Sequence, residues 1–166
     1  MTPAVKALER EHIVFSLHEY AHDPRAESYG LEAAKALGID PASVYKTLLA
    51  QLDGKELVVA IVPVENSLNL KSLAKAARSK RAEMANPNDT QRSTGYVLGG
   101  ISPFGQKKHL RTFVDASVLD LSHVHVSGGR RGLEIEIEPT DLIAATRATT
   151  AAIAAQPATR KRINAR

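Results

Sequence analysis

A glycine-rich segment at residues 95–108, GYVLGGISPFGQKK, carries the strongest chemical signal in the chain. It contains the G-x-x-x-x-G spacing of a phosphate-binding loop, ending at Gly100, but Ile101 stands where that loop needs a lysine. Gly100, Ser102 and Gly105 come near G-x-S-x-G, but the second glycine is one residue too late for a nucleophile elbow. The segment therefore predicts either a tight loop between strands or a loop whose backbone approaches a ligand closely.

A single amine leads an apolar strand face in the segment 45–52. Side-chain alternation puts Lys46 on the same face as Leu48, Ala50 and Leu52. Because burial of an ammonium group is costly, Lys46 either reaches solvent at the end of the strand or points into a cleft with an anionic ligand. The second alternative makes Lys46 a candidate site residue.

A second glycine cluster, SGGRRG at residues 127–132, joins two predicted strands and presents the guanidinium groups of Arg130 and Arg131. One interpretation is an ordinary glycine hairpin. The other is a nest of backbone amides, supported by arginine, that holds an oxyanion or a phosphate. The sequence leaves both interpretations open.

Histidine and glutamate residues in the last third of the chain give weaker signals. His123 and His125 share a strand face, but no carboxylate or third histidine stands at a recognisable ligand spacing. We therefore predict no metal site, and no motif calls for a cofactor. Glu134, Glu136 and Glu138 alternate with apolar residues, which predicts a mostly solvated strand face from which one carboxylate could line a cleft.

Composition limits the class of protein. The 166 residues are enough for one domain with its own core. The chain has no cysteine, which excludes disulfides, thiolate metal sites and a cysteine nucleophile, and which is compatible with a reducing compartment. No long apolar run predicts a signal peptide or a membrane span. Aromatic residues are few, so a platform that stacks bases is not expected.

Positive charge is concentrated in one region. Residues 71–111 carry nine Lys and Arg residues against only Glu83 and Asp89, whereas the regions on either side are net acidic. Residues 157–166 are basic again. A concentrated positive field suits a polyanionic partner such as nucleic acid, although a solvated, lysine-rich helix face would have the same composition.

The elements that must position these residues form a mixed pattern. Strands are predicted at 13–20, 45–52, 56–63, 81–84, 111–114, 124–127 and 133–137, and Asp53-Gly54 signals a hairpin. Helices are predicted at 2–11, 31–37, after Asn69, after Asn86 and over 141–155. This order predicts a single α/β (α+β) domain over residues 1–156, with a disordered basic tail at 157–166. We expect a mixed, mostly antiparallel sheet, partly closed like a barrel and surrounded by short helices.

Four motifs resemble the YbaK family of free-standing editing proteins, which is related to the inserted editing domain of prolyl-tRNA synthetase. They are VYKTLL (44–49), KRAEMANP (80–87), QRSTGYVLGGISPFGQKK (91–108) and VSGGRRGLEIE (126–136), and HEYAHDP (18–24) agrees as well. The resemblance covers residues 1 to about 155, and the motifs agree in order and spacing.

The resemblance implies a cytoplasmic Cys-tRNA(Pro) deacylase that also acts on Cys-tRNA(Cys). Such an enzyme removes cysteine that prolyl-tRNA synthetase has joined to the wrong tRNA. The family mechanism is substrate assistance, in which the thiolate of the bound cysteine attacks its own carbonyl and releases the tRNA. The implied partners are tRNA(Pro), tRNA(Cys) and, in a transient complex, prolyl-tRNA synthetase; no metal, cofactor or membrane is implied.

Site residues follow from the same resemblance. The essential lysine is Lys46, and the loop backbone that faces the ester is that of Gly99, Gly100 and Ile101. The implied substrate-binding residues are Tyr20, Tyr29, Thr47, Ser127 and Glu134. Tyr29 stands where Phe is familiar and Glu134 where Asp is familiar, and the extra hydroxyl group and methylene could change the size of the pocket and its selectivity for a thiol. The basic residues expected to meet tRNA phosphates are Lys71, Lys75, Arg78, Lys80, Arg81, Arg92, Lys107, Lys108, Arg130 and Arg131.

Two other functions stay open at this stage. One keeps the fold but makes the substrate Ala-tRNA(Pro), with water as the nucleophile. The other is a non-catalytic module that binds tRNA or a nucleotide without hydrolysing an ester.

Overall fold

The structure is a computed structural model that describes residues 1–26 and 28–155. Its helices are α1 (Pro3–Arg10), α2 (Tyr29–Leu37), α3 (Leu70–Ala76), α4 (Pro87–Thr94) and α5 (Pro139–Thr146). Its strands are β1 (Ser16–Glu19), β2 (Tyr45–Leu52), β3 (Glu56–Pro63), β4 (Ser67–Leu68), β5 (Ala82–Met84), β6 (Thr112–Asp115), β7 (Val124–Ser127), β8 (Leu133–Ile137), β9 (Thr149–Ala151) and β10 (Ala154–Ala155). Residue 156 and the predicted tail at 157–166 lie outside the described residues. None of the described helices is long and apolar enough to cross a membrane.

Helix α2, which begins at the site, has a cap at each end. The Ser28 side chain accepts a hydrogen bond from the Leu31 amide at the first turn. Gly38 ends the helix with a φ of 68°, a left-handed conformation that costs glycine little. The predicted helix end at Gly38 is confirmed, and these caps place Tyr29 on the first turn of the helix.

The β2–β3 hairpin is the centre of a five-stranded sheet in the order β5-β2-β3-β6-β9. Asp53 and Gly54 form its turn with φ values of 52° and 68°, as a type I′ turn requires. Strands β5, β2 and β3 pair antiparallel, whereas β3, β6 and β9 pair parallel. The sheet is therefore mixed, as predicted.

A second sheet holds three antiparallel strands in the order β1-β8-β7. A parallel bridge between Val44 and His125 joins its β7 edge to the start of β2. Strands β4 and β10 form a separate antiparallel pair. Most strand pairs are antiparallel, as expected, but the described residues form three sheets and no closed barrel.

The β2 strand is buried on both faces. Tyr45 and Leu49 pack into one apolar cluster with residues of β7, β8 and α1, whereas Ala50 and Leu52 pack into another beneath α3. Double burial fixes the strand firmly, because hydrophobic burial contributes about 25 cal/mol per Å² of apolar area removed from water. The strand therefore forms a rigid support for the residues at its first end, where Lys46 lies.

The predicted helix over 141–155 is wrong in its second half. Helix α5 stops at Thr146, and Arg147 takes a φ of 55° that ends it. Thr149 and the next two residues instead pair in parallel with β6 as strand β9. The β-branched side chains of Thr149 and Thr150 favour a strand over the alanine-rich helix that composition suggested.

Candidate active site

A cavity of about 430 Å³ opens between the start of β2, the first turn of α2, the glycine-rich loop and the β7–β8 turn. It is lined by Tyr20, Ser28, Tyr29, Gly30, Tyr45, Lys46, Thr47, Leu48, Val64, Leu98, Gly99, Ile101, Ser127, Arg130 and Glu134. Every residue predicted as catalytic or substrate-binding lies on this wall except Gly100. Residues far apart in sequence are therefore brought together in one place.

Lys46 is the half-buried cation of this wall. Burial lowers the pKa of its ammonium group below the ordinary value of 10.5. Among the described residues, no carboxylate lies within 4.0 Å of its nitrogen. The sequence allowed Lys46 either to reach solvent at the end of the strand or to point into a cleft. In the structure Lys46 lines a cleft, where its charge is available to an anionic ligand.

Glu134 is a buried carboxyl group on the same wall. Glu134 is 5% exposed, and its Oε2 has no hydrogen-bond partner among the described residues. Burial raises the pKa of Glu134 to about 8, because no neighbouring cation compensates the charge. The buried Thr47 Oγ1 also has no described partner. Buried polar atoms are nearly always bonded, so two orphans on one wall indicate a place for a polar ligand.

The position of Glu134 agrees with the prediction that one carboxylate of the mostly solvated glutamate face could line a cleft, because Glu136 is partly exposed and Glu138 is exposed. Strand β8 is the middle strand of its sheet, and Glu134 lies in register between His18 of β1 and Ser127 of β7. The cavity covers this end of the face, so the alternation in sequence could not distinguish it from an open surface. Glu136, two residues further, is more exposed and bonds to His18 Nε2 at 2.7 Å.

Two of the three glycine-loop residues implied to face the ester lie on the cavity wall. The Gly100 amide already donates to the Val97 carbonyl at 3.0 Å, and this residue is not on the wall. Gly99 and Ile101 are on the wall, and their amides bond to no other described residue. Gly99 and Ile101 are therefore the two loop residues on the wall whose amides have no described partner.

Glycine is required at positions 99 and 100 because atoms of other chain segments lie where a Cβ would be. A Cβ added at Gly99, which has a φ of 86°, would lie 2.5 Å from the Tyr29 ring and 2.6 Å from Arg131 Nε. A Cβ added at Gly100 would lie 2.9 Å from the Arg130 Cα. The two glycine clusters found in the sequence therefore pack directly against each other.

Arg130 and Arg131 hold the rim of the cavity together. The Arg131 guanidinium stacks 4.4 Å from the centre of the Tyr29 ring and donates from Nη2 to the Leu98 carbonyl at 2.7 Å. Arg130 donates to Glu19 Oε2 at 2.6 Å. Sequence reasoning missed this stacking, which joins two segments about 100 residues apart in the printed sequence. The only signal for it was the double arginine in the SGGRRG turn.

The other basic residues do not gather around the cavity. Lys71, Lys75, Lys80 and Arg81 line a separate cavity of about 540 Å³ between α3 and β5. Lys108 lies on a third cavity beside α1, and Arg92 pairs with Asp89 at 3.2 Å. The residues predicted to bind tRNA are thus distributed over several faces, and Lys71, Lys75, Lys80 and Arg81 form the densest group.

A cluster outside the cavity contains His18, His125 and Glu136, whose ligand atoms all lie within 4.8 Å of one another. Sequence spacing predicted no such group, because its members come from β1, β7 and β8. His123, the other histidine singled out in the sequence, is exposed and is not a member.

The cavity has a particular set of chemical groups. Among the described residues that line it there is neither a histidine nor a cysteine, so it holds no paired nucleophile and imidazole base. It contains a cation, a buried carboxyl group and backbone amides without a described partner. These groups suit the binding of a charged ligand and the stabilisation of negative charge that develops in a reaction.

Residues 23–145 match the family model described as the aminoacyl-tRNA editing domain. The chain belongs to this family. The editing domain is 34% identical over 148 residues to a protein of Enterococcus faecalis named "Putative Cys-tRNA(Pro)/Cys-tRNA(Cys) deacylase EbsC", covering 87% of this chain and 88% of that protein. It is also 29% identical over 100 residues to a proline–tRNA ligase of Desulforamulus reducens, but covers only 17% of that enzyme.

Solved structures share the fold of this editing domain. A crystal structure described as a putative trans-editing enzyme for prolyl tRNA synthetase superposes with a TM-score of 0.81 at 24% identity, over 93% of this chain and 96% of that one. Another, of hypothetical protein APE2540, gives a TM-score of 0.82 over 92% and 99% of the two chains at 24% identity. The mixed α/β fold expected from the sequence is confirmed.

Proposed function

We propose that this editing domain is a trans-editing deacylase that removes cysteine from mischarged tRNA(Pro), and that it also accepts Cys-tRNA(Cys). The observation that carries the proposal is the cavity itself. An unpaired cation, an unpaired buried carboxyl group and free amides line it, and its described lining residues include no histidine or cysteine to form a paired nucleophile and imidazole base. The family and the extensive identity to the Enterococcus faecalis protein support the same activity.

Glu134 binds the α-ammonium group of the aminoacyl moiety in this proposal. An incoming ammonium group is the compensation that the buried carboxyl lacks, so it would lower the pKa of Glu134 and hold the carboxylate ionised. The Tyr29 ring, fixed by Arg131, bounds the space beside the glycine loop. A cavity of about 430 Å³ is in the size range of ligand sites and has room for the aminoacyl group with part of the terminal nucleoside.

The substrate supplies the nucleophile. The cysteine thiolate forms a bond to its own carbonyl carbon, the bond from that carbon to the ribose oxygen breaks, and the released oxygen takes a proton. The product of this step is a four-membered thiolactone, which water then opens to free cysteine. The protein contributes position and charge: the amides of Gly99 and Ile101 stabilise the oxyanion, and Lys46 stabilises the charge on the leaving oxygen.

Binding of the tRNA uses phosphate contacts. Lys71, Lys75, Lys80 and Arg81 line a basic groove at the far end of β2, which pairs with β5 there. Leu52, the last residue of that pairing, is six positions along the strand from Lys46, which is roughly 20 Å at 3.3 Å per residue. Such contacts position the acceptor stem without reading bases. Since this substrate is made in the cytoplasm by a synthetase, we expect the enzyme there, in transient complex with prolyl-tRNA synthetase.

The test is deacylation by the purified protein of Cys-tRNA(Pro), Ser-tRNA(Pro) and Ala-tRNA(Pro), measured side by side. Serine is the matched control, because it replaces only the sulfur of cysteine. The proposal predicts that cysteine is lost at least about 100-fold faster than serine, a difference of about 2.7 kcal/mol in activation free energy.

Equal or faster loss of alanine would contradict thiol assistance and support attack by water. Binding of tRNA with no loss of any amino acid would contradict the enzymatic function altogether and support the binding-module alternative.

A further inference from the structure

The polar face of the three-stranded sheet carries a second constellation beside the cavity. His125 of β7 lies directly opposite Glu136 of β8, and His18 of β1 is the diagonal neighbour of Glu136 across the other strand. Glu136 Oε1 lies 2.7 Å from His18 Nε2 and 3.7 Å from His125 Nε2. Three strands thus bring two imidazole nitrogens and one carboxylate oxygen to a single point.

Hydrogen bonding determines which nitrogen of His125 is free. The hydroxyl group of Ser43 donates its one proton to the Asp40 carbonyl at 2.8 Å. The 3.4 Å contact between Ser43 Oγ and His125 Nδ1 then fits the tautomer in which the imidazole Nδ1–H donates. The lone pair of the neutral ring is left on Nε2, the atom nearer to Glu136. Metal-bound histidines commonly donate their other N–H to such a partner.

The distances between the ligand atoms are close to those that a metal ion requires. Tetrahedral zinc with bonds of about 2.0–2.1 Å separates its ligand atoms by about 3.3 Å. The two separations from Glu136 Oε1 lie on either side of this distance, and the two imidazole nitrogens lie within 4.8 Å of each other, so rotations of the side chains would accommodate the ion.

We propose that His18, His125 and Glu136 form a Zn²⁺ site with three protein ligands and a fourth position open to water. The His18 side chain is 38% exposed, which gives an ion access from solvent. A bound ion would join β1, β7 and β8, and β8 also carries Glu134 two residues away. The site would brace the sheet beneath the cavity, and it does not depend on the proposed deacylase activity.

The test is titration of the tag-free full chain with ZnCl₂ by isothermal calorimetry, with Co²⁺ absorption as a second readout of tetrahedral geometry. His18→Gln and Glu136→Gln remove ligands at positions that are not fully buried, so both variants should fold. His109→Gln is the matched control, because His109 is exposed and outside the cluster.

The proposal predicts one Zn²⁺ per wild-type chain, an affinity at least about tenfold weaker in each cluster variant, and no change in the control. Absence of saturable binding to the wild-type chain would overturn it, as would binding that the cluster variants leave unchanged.

Discussion

Two buried carboxyl groups in this protein have opposite surroundings. Asp115, 8% exposed at the end of β6, accepts the amides of Ile153 and Ala154 on Oδ1, each at 2.9 Å, and the amide and hydroxyl of Ser117 on Oδ2. Burial alone would raise the pKa of Asp115, but these hydrogen bonds outweigh it and lower the pKa. Glu134, 5% exposed, has one oxygen without any described partner and a raised pKa.

This difference in hydrogen bonding indicates a structural role for Asp115 and a ligand-binding role for Glu134. The bonds to Asp115 attach the last described strands to the sheet, and its charge is fully used inside the protein. Glu134 is left with a bond to make, on the wall of a cavity that also holds an unpaired lysine. A buried carboxyl group therefore indicates a functional site when it lacks hydrogen-bond partners, and burial alone does not indicate one.

Asp115→Ala should have the largest effect on stability. The substitution leaves buried amides and a hydroxyl group without an acceptor, so we expect the free energy of unfolding to fall by about 3–5 kcal/mol. Urea denaturation measures it, and Asp120→Ala, on an exposed residue five positions further, should change stability by less than about 0.5 kcal/mol. A fall of less than about 1 kcal/mol in the free energy of unfolding for Asp115→Ala would contradict the structural role that distinguishes Asp115 from Glu134.

The pH dependence of stability should differ in sign between the two carboxyl groups. Glu134 is protonated in the fold up to about pH 8 but ionises near 4.5 when unfolded, so its contribution falls by about 1.4 kcal/mol per pH unit between those values. The contribution of Asp115 is instead present above about pH 3.8 and lost as the pH falls through its lowered pKa.

Glu134→Gln isolates this effect. The buried amide of glutamine does not titrate, so its cost to stability is the same at every pH and does not change the slope of stability against pH. Between pH 5.5 and 7.5, the stability of the variant relative to the wild type should rise by about 2–3 kcal/mol in parallel urea titrations. A difference that does not change with pH would mean that Glu134 is ionised and paired, like Asp115.

Gly99→Ala should show that the rim of the cavity is closely packed. The added methyl group meets the Tyr29 ring and Arg131, so we expect a loss of about 2 kcal/mol in stability together with reduced deacylation. Gly38→Ala is the control, since it has a similar φ of 68° and no atom within 4 Å of the added Cβ. It should lose about 1 kcal/mol by thermal unfolding and keep its activity; equal results for both would contradict close packing at the rim.

Glu134→Asp should have the smallest effect. The charge stays and one methylene is lost, so kcat/KM for Cys-tRNA(Pro) should change by about tenfold or less. Steady-state kinetics measure it, with Glu134→Gln beside it. If Glu134→Asp loses activity whereas Glu134→Gln, which keeps the length of the side chain, retains it, the site requires the length of the side chain rather than its charge.

Local sequence determined much of the fold, as the hairpin shows. The strands 45–52 and 56–63 and the Asp53-Gly54 turn follow from alternation and turn chemistry, and the structure has the same bounds. The helix predicted over 141–155 failed because its second half pairs with β6, a contact that neighbouring residues cannot signal.

The site was predictable where a motif carried it. Strand alternation singled out Lys46, glycine spacing singled out the loop, and the family resemblance gave each a role; both reach the cavity wall. The burial of Glu134, the stacking of Arg131 on Tyr29 and the cluster of His18 with His125 depend on which strands become neighbours. Alternation assigns a residue to a face but does not say what covers that face.

The most direct test of the proposed site is the rate of Cys-tRNA(Pro) deacylation by Lys46→Ala and by Lys55→Ala. Both lysines belong to the β2–β3 hairpin, but Lys46 lines the cavity whereas Lys55 is exposed in the turn at the opposite end. The account predicts a fall in kcat/KM of at least about 100-fold for Lys46→Ala and no change for Lys55→Ala. Full activity in Lys46→Ala would contradict it, because the charge that the cavity leaves unpaired would then have no part in the reaction.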